Sequence, residues 1–377
     1  MAVYTCLVAR TTTGEVVDEL PMSDFTWSDS LDLSRAGSMT ITTPLLSDGL
    51  TSDASNRVRA RSVAGSHWYW TLILMRDAQP LFAGPVVTHD VAADRSTVQF
   101  GCTSIATLLD ARMVLKAGTE LTPATTDSNL ILEVDQYSIA CTLLALATTG
   151  TGRALPFTLP SPSIVIDVLR NYTGADLASV LERLTQLSQE KGGPDIRFRA
   201  TLDLNQRQLG WTVDVGNPRL GLVSSPWAWD FPTTITQIAE TGDSSEMTFR
   251  GYVTGDAAGS SEIPPIGVAE DLTFTAQGWP MLERSTRMAD SVHELPVLTS
   301  HAQSFVATNR LPALTWTIEV DPEAFPEIGT WSLGDNATFN VSGDSWVLDG
   351  TYPQRLIGVT HTPTSASLET SSVLVSP

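Results

Sequence analysis

Residues 172–220 read YTGADLASVLERLTQLSQEKGGPDIRFRATLDLNQRQLGWTVDVGNPRL. Thr173 and Asp176 have capping-box spacing, which predicts side-chain acceptors for two helix-start N–H groups. Leu177, Val180, Leu181, Leu184 and Leu187 recur at three and four residues and predict one apolar helix face. Gly192 and Gly193 can adopt the left-handed conformation that ends a helix, and Pro194 stops it. Strict alternation follows. Ile196, Phe198, Ala200 and Leu202 face one way, and Arg197, Arg199, Thr201 and Asp203 the other. After a polar turn at Asn205–Arg207, Leu209, Trp211, Val213 and Val215 repeat the pattern. A helix stripe over one apolar sheet face predicts a two-layer α+β module over 171–216. It packs and presents a surface, and carries no reactive group.

On either side the pattern changes to period two. Residues 1–115 predict strands at Val3–Val8, Phe25–Leu31, Met39–Thr43, Arg57–Ser62, Trp68–Met75, Leu81–Val87 and Thr97–Cys102, the spacing of a sandwich or barrel. Trp68–Met75 is apolar on both faces and predicts burial on both. Residues 116–170 read as a connecting segment with a short helix near Ser138–Ala147. In 217–377 the expected elements are strands at Pro226–Phe231, Leu272–Ala276, Trp316–Val320, Ala337–Val341, Trp346–Leu348 and Leu356–Thr360. A hairpin is expected from Thr234–Thr241 and Met247–Val253, a helix near Val297–Thr308, and a last strand at Val373–Val375. The fold class is mainly β with an α+β insertion.

The chain has 377 residues, enough for two or three domains with real cores, and a formal net charge of −20. Its only lysines are Lys116 and Lys191. So acidic a surface argues against tight nucleic-acid binding, which needs clustered Lys and Arg. Solubility is the plain consequence. Cys6, Cys102 and Cys141 form neither a disulfide framework nor a zinc pattern and read as buried thiols. The opening MAVYTCLVAR lacks the charge and apolar run of a secretory leader, and no apolar run approaches the ~18–20 residues that span a bilayer, so no membrane insertion is expected.

No catalytic, cofactor-binding or metal site is expected. His67, His89, His293, His301 and His361 are scattered, and His293 and His301 are not four apart, as a helical zinc pair would be. Asp321 with Glu323, or Asp344 with Asp349, could be drawn as a glycosidase pair, but Asx turns explain Asp335 and Asp344 better. The acidic turns around Asp335–Asp344 do not match an EF-hand loop. The glycosylation triplets at Asn171, Asn336 and Asn340 read as chance. Trp227, Trp229, Trp279, Trp331 and Trp346 fit a sugar-stacking platform or, better, core and interface packing.

The run from Tyr172 through ASVLERL and GGPDIRF to LGWTVDVGNPRLG resembles the minor tail proteins of long-tailed phages that infect actinobacteria. GWPMLERS from Gly278, LTSHAQSFV from Leu298, LGDNATF from Leu333 and RLIGV from Arg355 follow in the order of that family. PLFAGPVV from Pro80 and VQFGCTSI from Val98 match more loosely. The resemblance implies a tail-hub fold, with two β-barrel-like domains flanking the helix-plus-hairpin module. It also implies a non-enzymatic virion component of a siphophage: a homotrimeric baseplate hub at the tail tip, adapting a sixfold tail to a threefold tip around the DNA channel. Its implied partners are the distal tail protein ring, the tape measure protein and other minor tail or fibre proteins, with genomic DNA passing unbound along an acidic wall during ejection. Assembly would take place in the host cytoplasm. The alternatives are a receptor- or carbohydrate-binding tail protein that contacts the host envelope and, more remotely, a tail lysin.

Overall fold

The computed structural model describes residues 2–35, 37–47, 51–163, 165, 168–190, 192–255, 263–287 and 295–372. The chain divides into two compact units, one of Met1–Ala239 with Thr317–Pro377 and one of Glu240–Trp316.

The larger unit opens with β1 (Tyr4–Arg10), β2 (Val16–Leu20), β3 (Asp24–Ser30) and β4 (Ser38–Pro44). A short ladder of β5 (Leu46–Ser47) and β6 (Thr51–Ser52) leads to α1 (Ala54–Ala64). β7 (Trp70–Arg76), β8 (Gln79–Val91) and β9 (Thr97–Thr103) complete the run, with spatial order β3-β4-β9-β8-β7-β1-β2. Alternation sets the faces. Cys6 and Val8 sit opposite Leu74 and Leu72, all buried. β7 is buried on both faces from Thr71 onward, as its sequence predicts, but Trp68 and Tyr69 precede the strand and are exposed. The Arg57–Ser62 strand is not formed. Asp53 accepts from the Asn56 N–H at 3.0 Å and caps α1 through this stretch.

Next come β10 (Leu130–Val134), α2 (Gln136–Thr148), β11 (Phe157–Thr158), β12 (Val168–Tyr172), α3 (Val180–Gln189), β13 (Ile196–Asp203) and β14 (Gln208–Val215). Ile139, Leu143 and Ala147 of α2, Leu184 and Leu187 of α3, and Ile196 and Val213 of the hairpin share one core. A fully buried Leu of this kind contributes about 2 kcal/mol. The predicted capping box at Thr173 is not the helix start. Gly174–Asp176 is a 3-10 turn without a side-chain cap, and Leu177 takes a left-handed φ of 49° and is exposed. Ser179 caps instead, accepting from the Glu182 N–H at 3.0 Å. The hairpin forms as predicted, and Asp203 accepts from the Asn205 and Gln206 N–H groups in its turn.

β15 (Ala228–Phe231) and β16 (Ile235–Asp243) follow. β16 leads out to the smaller unit, which contains β17 (Arg250–Thr254), β18 (Ile266–Glu270), β19 (Glu283–Arg287) and α4 (Leu295–Asn309). β17 is the centre of a three-stranded sheet, antiparallel to β18 and parallel to β19. The expected hairpin from Thr234–Thr241 and Met247–Val253 therefore does not form, since β16 pairs β20 (Ala313–Val320). Leu272–Ala276 is a turn running into a 3-10 helix at Thr275–Gln277, not a strand. Leu298 and Ala302 of α4 pack with Val253. Gly267 lets the backbones meet, because a Cβ there would lie 2.2 Å from the Leu298 carbonyl carbon.

The larger unit finishes with β21 (Asn336–Val341), β22 (Gly350–His361) and β23 (Ala366–Ser372). Trp346–Leu348 belongs to the exposed loop between β21 and β22 and forms no strand. The Val373–Val375 strand and His293 lie outside the described residues. The mainly-β class with an α+β insertion is realised, with one difference in how the β halves meet. β22 pairs with β3, His361 opposite Trp27, so the halves run together in one 13-stranded sheet. Among the described residues no hydrogen-bonded closure makes either half a separate barrel.

Candidate assembly surfaces

Of the acidic side chains with enzyme-like spacing, Asp321, Asp344 and Asp349 accept hydrogen bonds within turns, and Glu323 accepts from the Ala2 N–H at 3.0 Å. Asp344 Oδ1 accepts from the Trp346 and Val347 N–H groups at 2.8 and 2.7 Å, and Asp349 Oδ1 from Gly343 at 2.7 Å. Asp321 accepts from the Glu323 N–H. Asp335 is buried and accepts from Leu222 and Ser332 backbone N–H groups and from Trp227 Nε1. Among the described residues no group of three or more His, Cys, Asp or Glu could hold a metal ion, and no helix is long and apolar enough to cross a membrane. Cys6, Cys102 and Cys141 are buried free thiols, and burial pushes Cys6 up to about 12.

Two histidine positions gain a structural meaning that the sequence did not signal. His67 and His89 lie side by side, Nε2 to Nδ1 at 2.9 Å, so one ring donates and the other accepts. His361 is fully buried beside Tyr4, Phe25 and Trp27.

The inserted hairpin is fastened to the sheet. Trp211 is buried against Ile73 and Met75, the second face of β7, and its Nε1 donates to Ala83 O at 3.3 Å. Arg197 donates to Asp214 at 2.9 Å and to Leu333 O at 2.8 Å. Burial raises the Asp214 carboxyl, but hydrogen bonds from Arg199 and Arg197 outweigh it and hold the group below the usual carboxylate range. Arg355 bridges Asp195 and the Leu220 carbonyl. Side chains from both β halves thus grip one hairpin.

Two exposed surfaces among the described residues of this unit bear on assembly. The first is a groove of about 660 Å³ beside α1. Leu45, Leu46, Ala60, Ala64, Val91 and Val98 give it apolar walls, and Arg57, Arg61 and Arg95 line it with guanidinium groups, beside His89. Reading α1 as a strand hid this groove, although Asp53 and the four-residue spacing of Arg57 and Arg61 were the available signals. The second is the loop between β21 and β22, where Trp346 is 76% and Leu348 80% exposed. The five tryptophans make no single exposed row. Trp229 and Trp331 are buried and edge-packed, Trp227 is half-buried, and in the smaller unit Trp279 packs on Phe249 and Phe274.

The fold has relatives among solved structures. A tail protein from Neisseria meningitidis MC58 is similar with a TM-score of 0.56 at 15% identity, over 98% of this chain and 97% of that one. The 43 kDa tail protein of prophage MuSo2 from Shewanella oneidensis gives 0.58 at 8% identity, over 98% of both chains. Prophage tail protein gp18 from Listeria monocytogenes EGD-e gives 0.50 at 12% identity, over 99% and 95%. No protein-family model matches the sequence, and no curated protein is significantly similar to it. The chain therefore has the fold of phage and prophage tail proteins from end to end.

Proposed function

We propose that this chain is a structural component of a phage tail, and that three copies form the hub at the tail tip of a long-tailed phage. The observation that carries the reading is the tail-protein fold over 98% of the chain, with 97% of its Neisseria counterpart covered in turn. Each chain carries two β-rich halves in one sheet, so three copies would bring six such halves together, which would suit a junction between a sixfold tail and a threefold tip. The net charge of −20 suits a channel that DNA crosses without sticking. The sequence resemblance points to a phage of actinobacteria, with the distal tail ring, the tape measure protein and fibre proteins as neighbours. The chain works by packing and interface formation, with no catalytic step.

Light scattering on the purified full chain, followed by end-on electron microscopy, tests this. A threefold ring with a central hole is the expected result. A monomer that decorates isolated cell walls would move the assignment to envelope recognition, and release of peptidoglycan fragments would move it to a lysin.

A further inference from the structure

We propose that the Trp346–Leu348 loop of one copy of this chain seats in the α1 groove of the next copy, making a head-to-tail contact. The proposal rests on the ring reading and names its contact.

The two surfaces match in apolar character and in charge. The loop projects two apolar side chains, Trp346 and Leu348, flanked by Asp344 and Asp349. The groove offers apolar walls of Leu and Val with Arg57, Arg61 and Arg95 beside them. At about 660 Å³ it lies in the size range of pockets that take small ligands, which leaves room for an indole side chain. Guanidinium groups pair with carboxylates and also stack on an indole face, so the same Arg side chains serve both parts of the loop. Elsewhere the chain is strongly acidic, with 42 Asp and Glu against 22 Lys and Arg, so a basic groove attracts another copy. The loop is also preorganised. Asp344 and Asp349 tie its backbone, and the Tyr352 hydroxyl donates to Leu348 O at 2.8 Å, so little ordering is lost on docking.

Loop and groove are different patches of one compact unit. A contact between unlike patches is heterologous, and such contacts make a ring where the rotation closes and an open filament where it does not. Duplex DNA is a poorer occupant, since its phosphates gain nothing from apolar walls and the net charge of −20 repels them.

The test uses the full chain. Trp346→Ala with Leu348→Ala, and separately Arg57→Glu with Arg61→Glu, should each weaken self-association about 30-fold or more, read by sedimentation velocity. Because substitutions can disturb folding, cysteine pairs supply a second reading. Ser345→Cys chains mixed with Arg61→Cys chains should form a disulfide-linked pair under mild oxidation, and neither variant should do so alone. The buried native thiols do not compete. A threefold ring that persists unweakened in both variants, without the mixed disulfide, overturns this contact and leaves the ring reading standing. An unmodified chain that stays monomeric, together with cysteine variants that form no mixed disulfide, overturns both. If the unmodified chain binds duplex DNA or an acidic peptide, and Arg57→Glu with Arg61→Glu abolishes that binding without changing the assembled mass, the groove belongs to another occupant and the proposal is wrong.

Discussion

The Tyr4 hydroxyl lies 3.1 Å from His361 Nε2, joining residues 357 positions apart in the sequence. His361 Nδ1 lies 3.1 Å from the Ser365 carbonyl, and the ring is enclosed by Phe25 and Trp27. Burial is the main reason its imidazole is pushed down from 6.5 to about 4, and Arg76 adds to the effect while the Ser365 carbonyl and Glu323 oppose it. Folding thus keeps His361 neutral, whereas the unfolded chain takes up a proton near 6.5. This contribution is fully present above that pH and is lost as pH falls toward about 4. The loss is at most about 3 kcal/mol. Denaturant titrations across this window should show the slope, and His361→Gln should flatten it. An unchanged slope in the variant would assign the acid sensitivity to other groups.

Trp211→Ala should cost about 3–5 kcal/mol, because it empties the seam between the hairpin and β7 and leaves the Ala83 carbonyl without its indole donor. Urea unfolding measures this. A loss below about 1 kcal/mol would mean that the hairpin docks without this anchor.

Ser179→Ala should destabilise the protein by about 1 kcal/mol, since it removes the cap on the Glu182 N–H. Thr173→Ala should do much less, because Thr173 makes no side-chain cap. Thermal melts of the two variants give a direct comparison, and equal losses would restore Thr173 to a capping role.

Gly267→Ala should damage the smaller unit selectively, since the added methyl would collide with the Leu298 backbone. Limited proteolysis should then cut within 240–316 while the remainder stays resistant. Uniform resistance would show that α4 can shift to make room.

Where one face is buried and the other wet, the fold was legible in the sequence. The hairpin of Ile196–Asp203 and Gln208–Val215 is an example, because alternation sets which side chains face the core and the polar turn after Asp203 fixes the register. The helix start was misread because Thr173 and Ser179 both precede acidic residues at suitable spacing, and packing decides between them. The Arg57–Ser62 segment was misread because α1 is largely exposed, with only Ala60 and Val63 buried, so its apolar period is weak. The pairing of β22 with β3 had no local signal, since no sequence pattern links Gly358–His361 to Trp27–Ser30. Both proposed assembly patches lie outside what periodicity can show. One depends on α1, β5, β8 and β9 converging, and the other on a loop whose tryptophan stays outside the core.

The β3–β22 pairing also constrains how the protein is made. β3 obtains β4 as a neighbour almost at once, but its other edge must wait for Gly358–His361 to leave the ribosome. Throughout most of synthesis the nascent chain carries an open strand edge, the kind of surface through which chains pair wrongly with one another. Premature release before β22 would leave that edge unpaired. Products that stop before β22 are therefore expected to aggregate, and a chain that contains it to depend on forming the β3–β22 ladder before meeting its own copies.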